Sequence, residues 1–170
     1  WARQGIALTG EVIAGDHITI HAQAGDLSIA GLLQADDNIR VTAQAGNLTF
    51  SGLLHAGNAA TLFARGGDLT LDGVLQTGGN GTFTAEGRLL TTGAIEMAAG
   101  GNLQLKSTQS SMMVGSGKIS ADRDVALWAR QDIELASDVT SGDDILIHAH
   151  EGIHTITGRL EAAKNIRFIP

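Results

Sequence analysis

A chain of 170 residues with a formal net charge of −7 is a poor match for nucleic acid, heparin-like polyanions or anionic membranes, because like charges repel. No apolar stretch approaches the ~18 residues that cross a bilayer, so membrane insertion is not expected. Cysteine is absent, which suits the cytosol and an exported chain equally well.

Taken in chain order, the sequence repeats itself about every 21 residues, the mark of a solenoid. Gly25-Asp26-Leu27-Ser28-Ile29-Ala30-Gly31 is followed by Gly46-Asn47-Leu48-Thr49-Phe50-Ser51-Gly52 and Gly67-Asp68-Leu69-Thr70-Leu71-Asp72-Gly73. In the unit 25–45, Leu27 and Ile29 alternate with Asp26, Ser28 and Ala30, which is strand periodicity. Gly31 breaks the run, Leu33 and Ala35 form a second inward set, and Asp36-Asp37-Asn38 turns the chain. Ile39, Val41 and Ala43 then alternate with Arg40, Thr42 and Gln44 as a third strand. Two or three short strands per ~21 residues, with no helical period, predict an all-β parallel β-helix (β-solenoid) of about eight coils.

Stacking the units predicts which residues share a column. One inward column reads Ile6, Leu27, Leu48, Leu69, Leu89, Met113, Ile133. A second reads Val12, Leu33, Leu54, Leu75, Ile95, Ile119, Val139, Leu160, and a third Ile20, Val41, Leu62, Phe83, Leu105, Leu127, Ile147, Phe168. Ala22, Ala43, Ala64, Ala85, Ala129 and Ala149 share a narrow inward place. Gly10, Gly31, Gly52, Gly73, Gly93, Gly117 and Gly158 mark one corner. Asn38, Asn80, Asn102, Asp124, Asp144 and Asn165 mark another, where side chains can bond to each other and to the turn backbone.

The spacing lengthens between Met97 and Lys118, and Ser107-Thr108-Gln109-Ser110-Ser111 has no counterpart elsewhere. Residues 1–170 are thus expected to form a single β-helical segment with an irregular coil near 98–118. Trp1-Ala2-Arg3-Gln4 recurs as Trp128-Ala129-Arg130-Gln131 inside a coil, and neither end supplies the polar cap that a free-standing solenoid needs. A slice of a longer repeat protein is the expectation.

The Gly-Asp/Asn-Leu-Thr/Ser-Leu phrase, the glycine two residues beyond it and the following apolar-x-Ala with its Asn/Asp turn resemble the filamentous haemagglutinin repeats, across 4–170. The resemblance implies a right-handed parallel β-helix within a very large exoprotein of a Gram-negative bacterium. It implies export by an outer-membrane two-partner secretion transporter, and a place outside the cell, secreted or at the bacterial surface. Adhesins and contact-dependent growth-inhibition exoproteins are both in that family, and the latter carry a toxin at the end of a β-helical stalk. Nothing in this chain matches the secretion domain or a toxin, so a structural stalk segment is the implied role.

Chemistry-bearing residues are few. The outward positions of the third strand give the columns His21, Thr42, Phe63, Thr84, Lys106, Trp128, His148 and Gln23, Gln44, Arg65, Glu86, Thr108, Arg130, His150. Phe63, Arg65, Trp128, Arg130, His148 and His150 are the candidate binding residues, since neighbouring aromatic and cationic groups can stack on and hydrogen-bond a sugar. The competing account is that these side chains merely pack on one another along a broad β face. His148 and His150 are two histidines where a metal site needs three or four converging ligands, so no metal and no other cofactor is expected. His154 falls on an inward column, by a strand bulge or by tolerance of a histidine near the end of the core. Asp36-Asp37 and Asp143-Asp144 lie about five coils apart, more than ~20 Å at the strand spacing. That is too far for paired carboxylates of a carbohydrate-active enzyme, and turn formation explains each pair. No nucleophile elbow, phosphate loop or zinc spacing is present. A non-enzymatic stalk is therefore expected first, a module recognising a host or bacterial surface glycan or receptor second, and a β-helical carbohydrate-active enzyme third.

Overall fold

The computed structural model describes residues 4–170, so Trp1, Ala2 and Arg3 of the expected Trp-Ala-Arg-Gln duplication lie outside the described residues. Each of the first four coils contains one long and one short strand. The long strands β1 (Ile6–Ala14), β3 (Leu27–Ala35), β5 (Leu48–Ala56) and β7 (Leu69–Thr77) pair in parallel, in register. The short strands β2 (Ile18–Ala22), β4 (Ile39–Ala43), β6 (Ala60–Ala64) and β8 (Gly81–Ala85) stack beside them in a second sheet. The chain is an all-β parallel β-solenoid of about 8 turns with ~21 residues per turn.

Beyond β7 the long strand divides. β9 (Leu89–Thr91) pairs with the first part of β7, and β10 (Ile95–Ala99) with the last part. Two parallel stacks continue from that fork. One runs through β12 (Met112–Val114), β15 (Ile133–Leu135) and β18 (His154–Ile156); the other through β13 (Gly117–Ala121), β16 (Asp138–Ser141) and β19 (Leu160–Ala162). The second sheet runs unbroken through β11 (Leu103–Ser107), β14 (Val125–Ala129), β17 (Ile145–Ala149) and β20 (Ile166–Ile169). Parallel strands buried on one face of a closed coil need apolar residues on that face. The core is accordingly a continuous column of Leu, Ile, Val, Phe and Ala, with Phe50 and Phe83 among its largest fully buried members.

The third inward column has the expected register from Ile20 through Val41, Leu62, Phe83, Leu105, Leu127 and Ile147 to Phe168. The alanine column also holds, with Ser107 standing between Ala85 and Ala129. Ser107 is fully buried there, and its hydroxyl donates to the Gly87 carbonyl at 2.6 Å.

Three expected column members are corrected. Met112, not Met113, stands between Leu89 and Ile133, while Met113 is 48% exposed. Two adjacent methionines satisfy either register, and a four-residue turn after β11 sets the choice. Met97, not Ile95, joins Leu75 to Ile119. Ile95 instead occupies the glycine corner, in register with Gly117, so Gly93 leaves that column. Thr92, Gly93 and Ala94 between β9 and β10 stand where β7 has Asp72 alone, and these two added residues absorb the difference.

The corner itself explains the glycines. At Gly31 and Gly52, φ is +134° and +133°, and a Cβ would lie 2.0 and 2.1 Å from the carbonyl oxygen of the glycine one coil earlier. A side chain there is excluded both by backbone conformation and by the closeness of the coils. At the other corner the side-chain oxygens of Asn38, Asn80, Asn102, Asp124 and Asp144 each accept a backbone N–H from the next coil, at 2.8–3.2 Å. The steps in this ladder are 21, 22, 22, 20 and 21 residues; it is interrupted at Ala59, whose side chain has no acceptor, and runs continuously from Asn80 to Asn165 despite the irregular spacing. A second ladder runs through Asp26, Asn47 and Asp68 to Arg88.

Candidate functional site

The outward stripe follows from strand alternation: residues between inward leucines must point away from the core. Cα partners run His21, Thr42, Phe63, Thr84, Lys106, Trp128, His148. On β11, β14 and β17 the side chains touch one another. The Lys106 ammonium lies 4.8 Å from the centroid of the Trp128 ring, a cation–π contact. The His148 ring meets Trp128 edge-on at 6.0 Å, and His150 meets His148 edge-on at 5.9 Å. Arg130 pairs with Glu151, which follows His150 in the same turn. That hydrogen bond from the guanidinium holds the Glu151 carboxyl below its ordinary range and raises Arg130 above its own.

Four of the six candidate residues, Trp128, Arg130, His148 and His150, are thus brought together, and Lys106 joins them. Phe63 and Arg65 form a separate pair, with the guanidinium 5.8 Å from the ring centroid. That pair is three coils from Trp128, about 14 Å at the coil spacing. Trp128 is flanked by Lys106 on one side and His148 on the other, so its ring is largely engaged within the protein. Nε2 of His148 is buried and has no hydrogen-bond partner among the described residues.

His154 keeps its inward place opposite Ile133. Its Nε2 accepts the Ala149 backbone N–H at 3.1 Å, and its ring packs edge-on against Phe168 at 5.8 Å. Tolerance of a histidine near the end of the core is the correct alternative, since the strand stays in register. Asp37, Asp143 and Asp144 are engaged at their turns. Asp37 lies 3.3 Å from Nδ1 of His17, and Asp143 lies 2.6 Å from Nζ of Lys164. Asp144 accepts both the backbone and the side-chain N–H of Asn165. Asp16, His17 and Asp37 bring ligand-type atoms within 4.8 Å of one another at a solvent-facing corner, a grouping the linear sequence hides because two adjacent coils contribute.

A groove of about 460 Å³ lies on the same outer sheet. The outward residues along it are Thr82, Gln104, Ala126, Leu146 and Arg167, and its rim is the corner ladder of Asn80, Asn102, Asp124 and Asp144. Ala126 makes the hollow, because longer side chains stand one coil before and one coil after it. It is two residues from Trp128 on the same strand face, which places the groove beside the aromatic cluster. The outward column was readable in the sequence, and the signal is its one short member. A smaller groove carries the column Glu96, Lys118, Asp138 and Arg159, whose charges alternate coil by coil.

No curated protein and no solved structure matches the chain. The family model described as the hemagglutinin repeat matches residues 88–144, which span the fork after β7, Ala126 and Trp128. That stretch of the solenoid is similar to the hemagglutinin repeat.

Proposed function

We infer that this chain is a non-enzymatic stalk segment of a large exoprotein, holding a binding or toxic domain away from the bacterial cell. The observation that carries this reading is the unbroken in-register stacking of coil on coil around an apolar core. Such a body encodes length and stiffness, and each coil buries surface only against its neighbours. The hemagglutinin repeat supports a secreted or surface-exposed exoprotein of the filamentous haemagglutinin type, an adhesin or a contact-dependent growth-inhibition effector. By the same family logic its export partner is an outer-membrane two-partner secretion transporter. The acidic pairs, far apart along the rod, speak against a carbohydrate-active enzyme.

A second reading is favoured by the groove beside Trp128: the segment is itself a recognition module for a surface glycan or receptor. The two readings separate when Phe63, Arg65, Trp128, Arg130, His148 and His150 are replaced together by threonine or serine, with Ala126 replaced by arginine, in the whole exoprotein. The stalk reading predicts normal export, surface display and target-cell effect. Loss of target-cell binding with normal display would overturn it in favour of recognition.

A further inference from the structure

We propose that the groove floored by Ala126 is a subsite for a neutral, linear, β-linked polysaccharide lying along the rod axis. This rests on the recognition reading above and not on the stalk reading. The groove of about 460 Å³ falls within the range of ordinary small-ligand clefts. Its floor is apolar at Ala126 and Leu146, which suits the C–H face of a sugar ring. Its rim repeats one polar side chain per coil, at about 4.8 Å, through Asn102, Asp124 and Asp144. Each of these spends one oxygen on the next coil's backbone N–H. Asn102 Nδ2 and the second oxygens of Asp124 and Asp144 remain available to hydroxyl groups.

An extended β-linked chain advances by roughly one coil spacing per sugar, so successive rings can repeat the same contacts. Ligand charge follows from the balance along the groove: the two rim carboxylates outnumber its one lining cation, Arg167, and with a net charge of −7 oppose an acidic glycan. Trp128 serves as a neighbouring barrier and not as the stacking platform, since Lys106 and His148 already flank its ring.

Isothermal titration of the chain with cellohexaose, laminarihexaose and chitohexaose tests this, with a heparin hexasaccharide as the acidic comparison. At least one neutral hexasaccharide should bind, more tightly than its disaccharide, and heparin should not. Ala126→Arg fills the hollow and should weaken binding at least about tenfold with an unchanged melting temperature, whereas Ala126→Ser should retain it. Failure of all three neutral probes to bind, or equal binding by Ala126→Arg, overturns the groove. Binding lost in Trp128→Ser but kept in Ala126→Arg would also overturn it, while leaving the recognition reading in place at the aromatic cluster.

Discussion

Replacing Gly52 with alanine isolates the force that shapes the corner of this solenoid. Gly52 has φ +133°, and an added Cβ would sit 2.1 Å from the Gly31 oxygen and 2.9 Å from its carbon and nitrogen. The backbone conformation alone costs about 1–3 kcal/mol for a non-glycine residue. The clash is with main-chain atoms of β3 and cannot be relieved by a rotamer change, so β3 and β5 must separate locally. Losing one or two ladder hydrogen bonds adds about 0.5–1.5 kcal/mol each, for a total of about 1.5–6 kcal/mol. Gly10 provides the comparison, with φ +105° and no atom within 4 Å of the added Cβ. Gly10→Ala should carry strain only. Urea unfolding followed by far-UV circular dichroism should show a midpoint shift for Gly52→Ala about twice that for Gly10→Ala, at unchanged slope. Equal shifts, or a larger one for Gly10→Ala, would refute the close-approach argument.

Other substitutions probe the core, the ladders and one surface ion pair. Leu48 and Leu69 are fully buried, so Leu48→Asp or Leu69→Asp should cost more than about 4 kcal/mol and abolish cooperative unfolding. If stacking of each new coil favours outward movement, the same variants should slow export in pulse-labelling. An unchanged rate would remove that coupling. Asn47 accepts the Asp68 N–H at 2.9 Å, so Asn47→Ala should cost about 1 kcal/mol by urea unfolding, and Asn47→Asp far less. Carboxyl NMR titration should place Glu151 below an ordinary glutamate, and Arg130→Ala should return it upward. Because the folded value is the lower one, the pair favours folding above the unfolded value. That contribution is lost as pH falls through the folded one.

The regular part of the fold was legible because each column repeats one residue type at constant spacing. Ile20 to Phe168 could be aligned without error, since in six of the eight coils this apolar residue follows the corner Asn or Asp by three positions. The misplacements fall where two registers are equally apolar, at Met112-Met113 and at Ile95 with Met97. Three-residue strands such as β9 and β12 give too little alternation to choose between them. The four-residue turn after β11 decides the first, and the connection between β9 and β10 decides the second. Proximity along the stripe was readable from the columns, but its use was not. Lys106 over Trp128 and Glu151 beside Arg130 depend on side-chain direction across coils. The groove depends on one short residue, Ala126, between longer ones in neighbouring coils, which only a column-by-column reading of volume reveals.

The central claim is that the coils are interchangeable stacking units whose number sets the length of a rod. Deleting residues 27–47 removes one coil and joins Asp26 to Leu48, the residue paired in register with Leu27. Small-angle X-ray scattering should then show an unchanged cross-section and a long axis shorter by about 4.8 Å. An unfolded chain, or a folded one with an altered cross-section, would contradict the account.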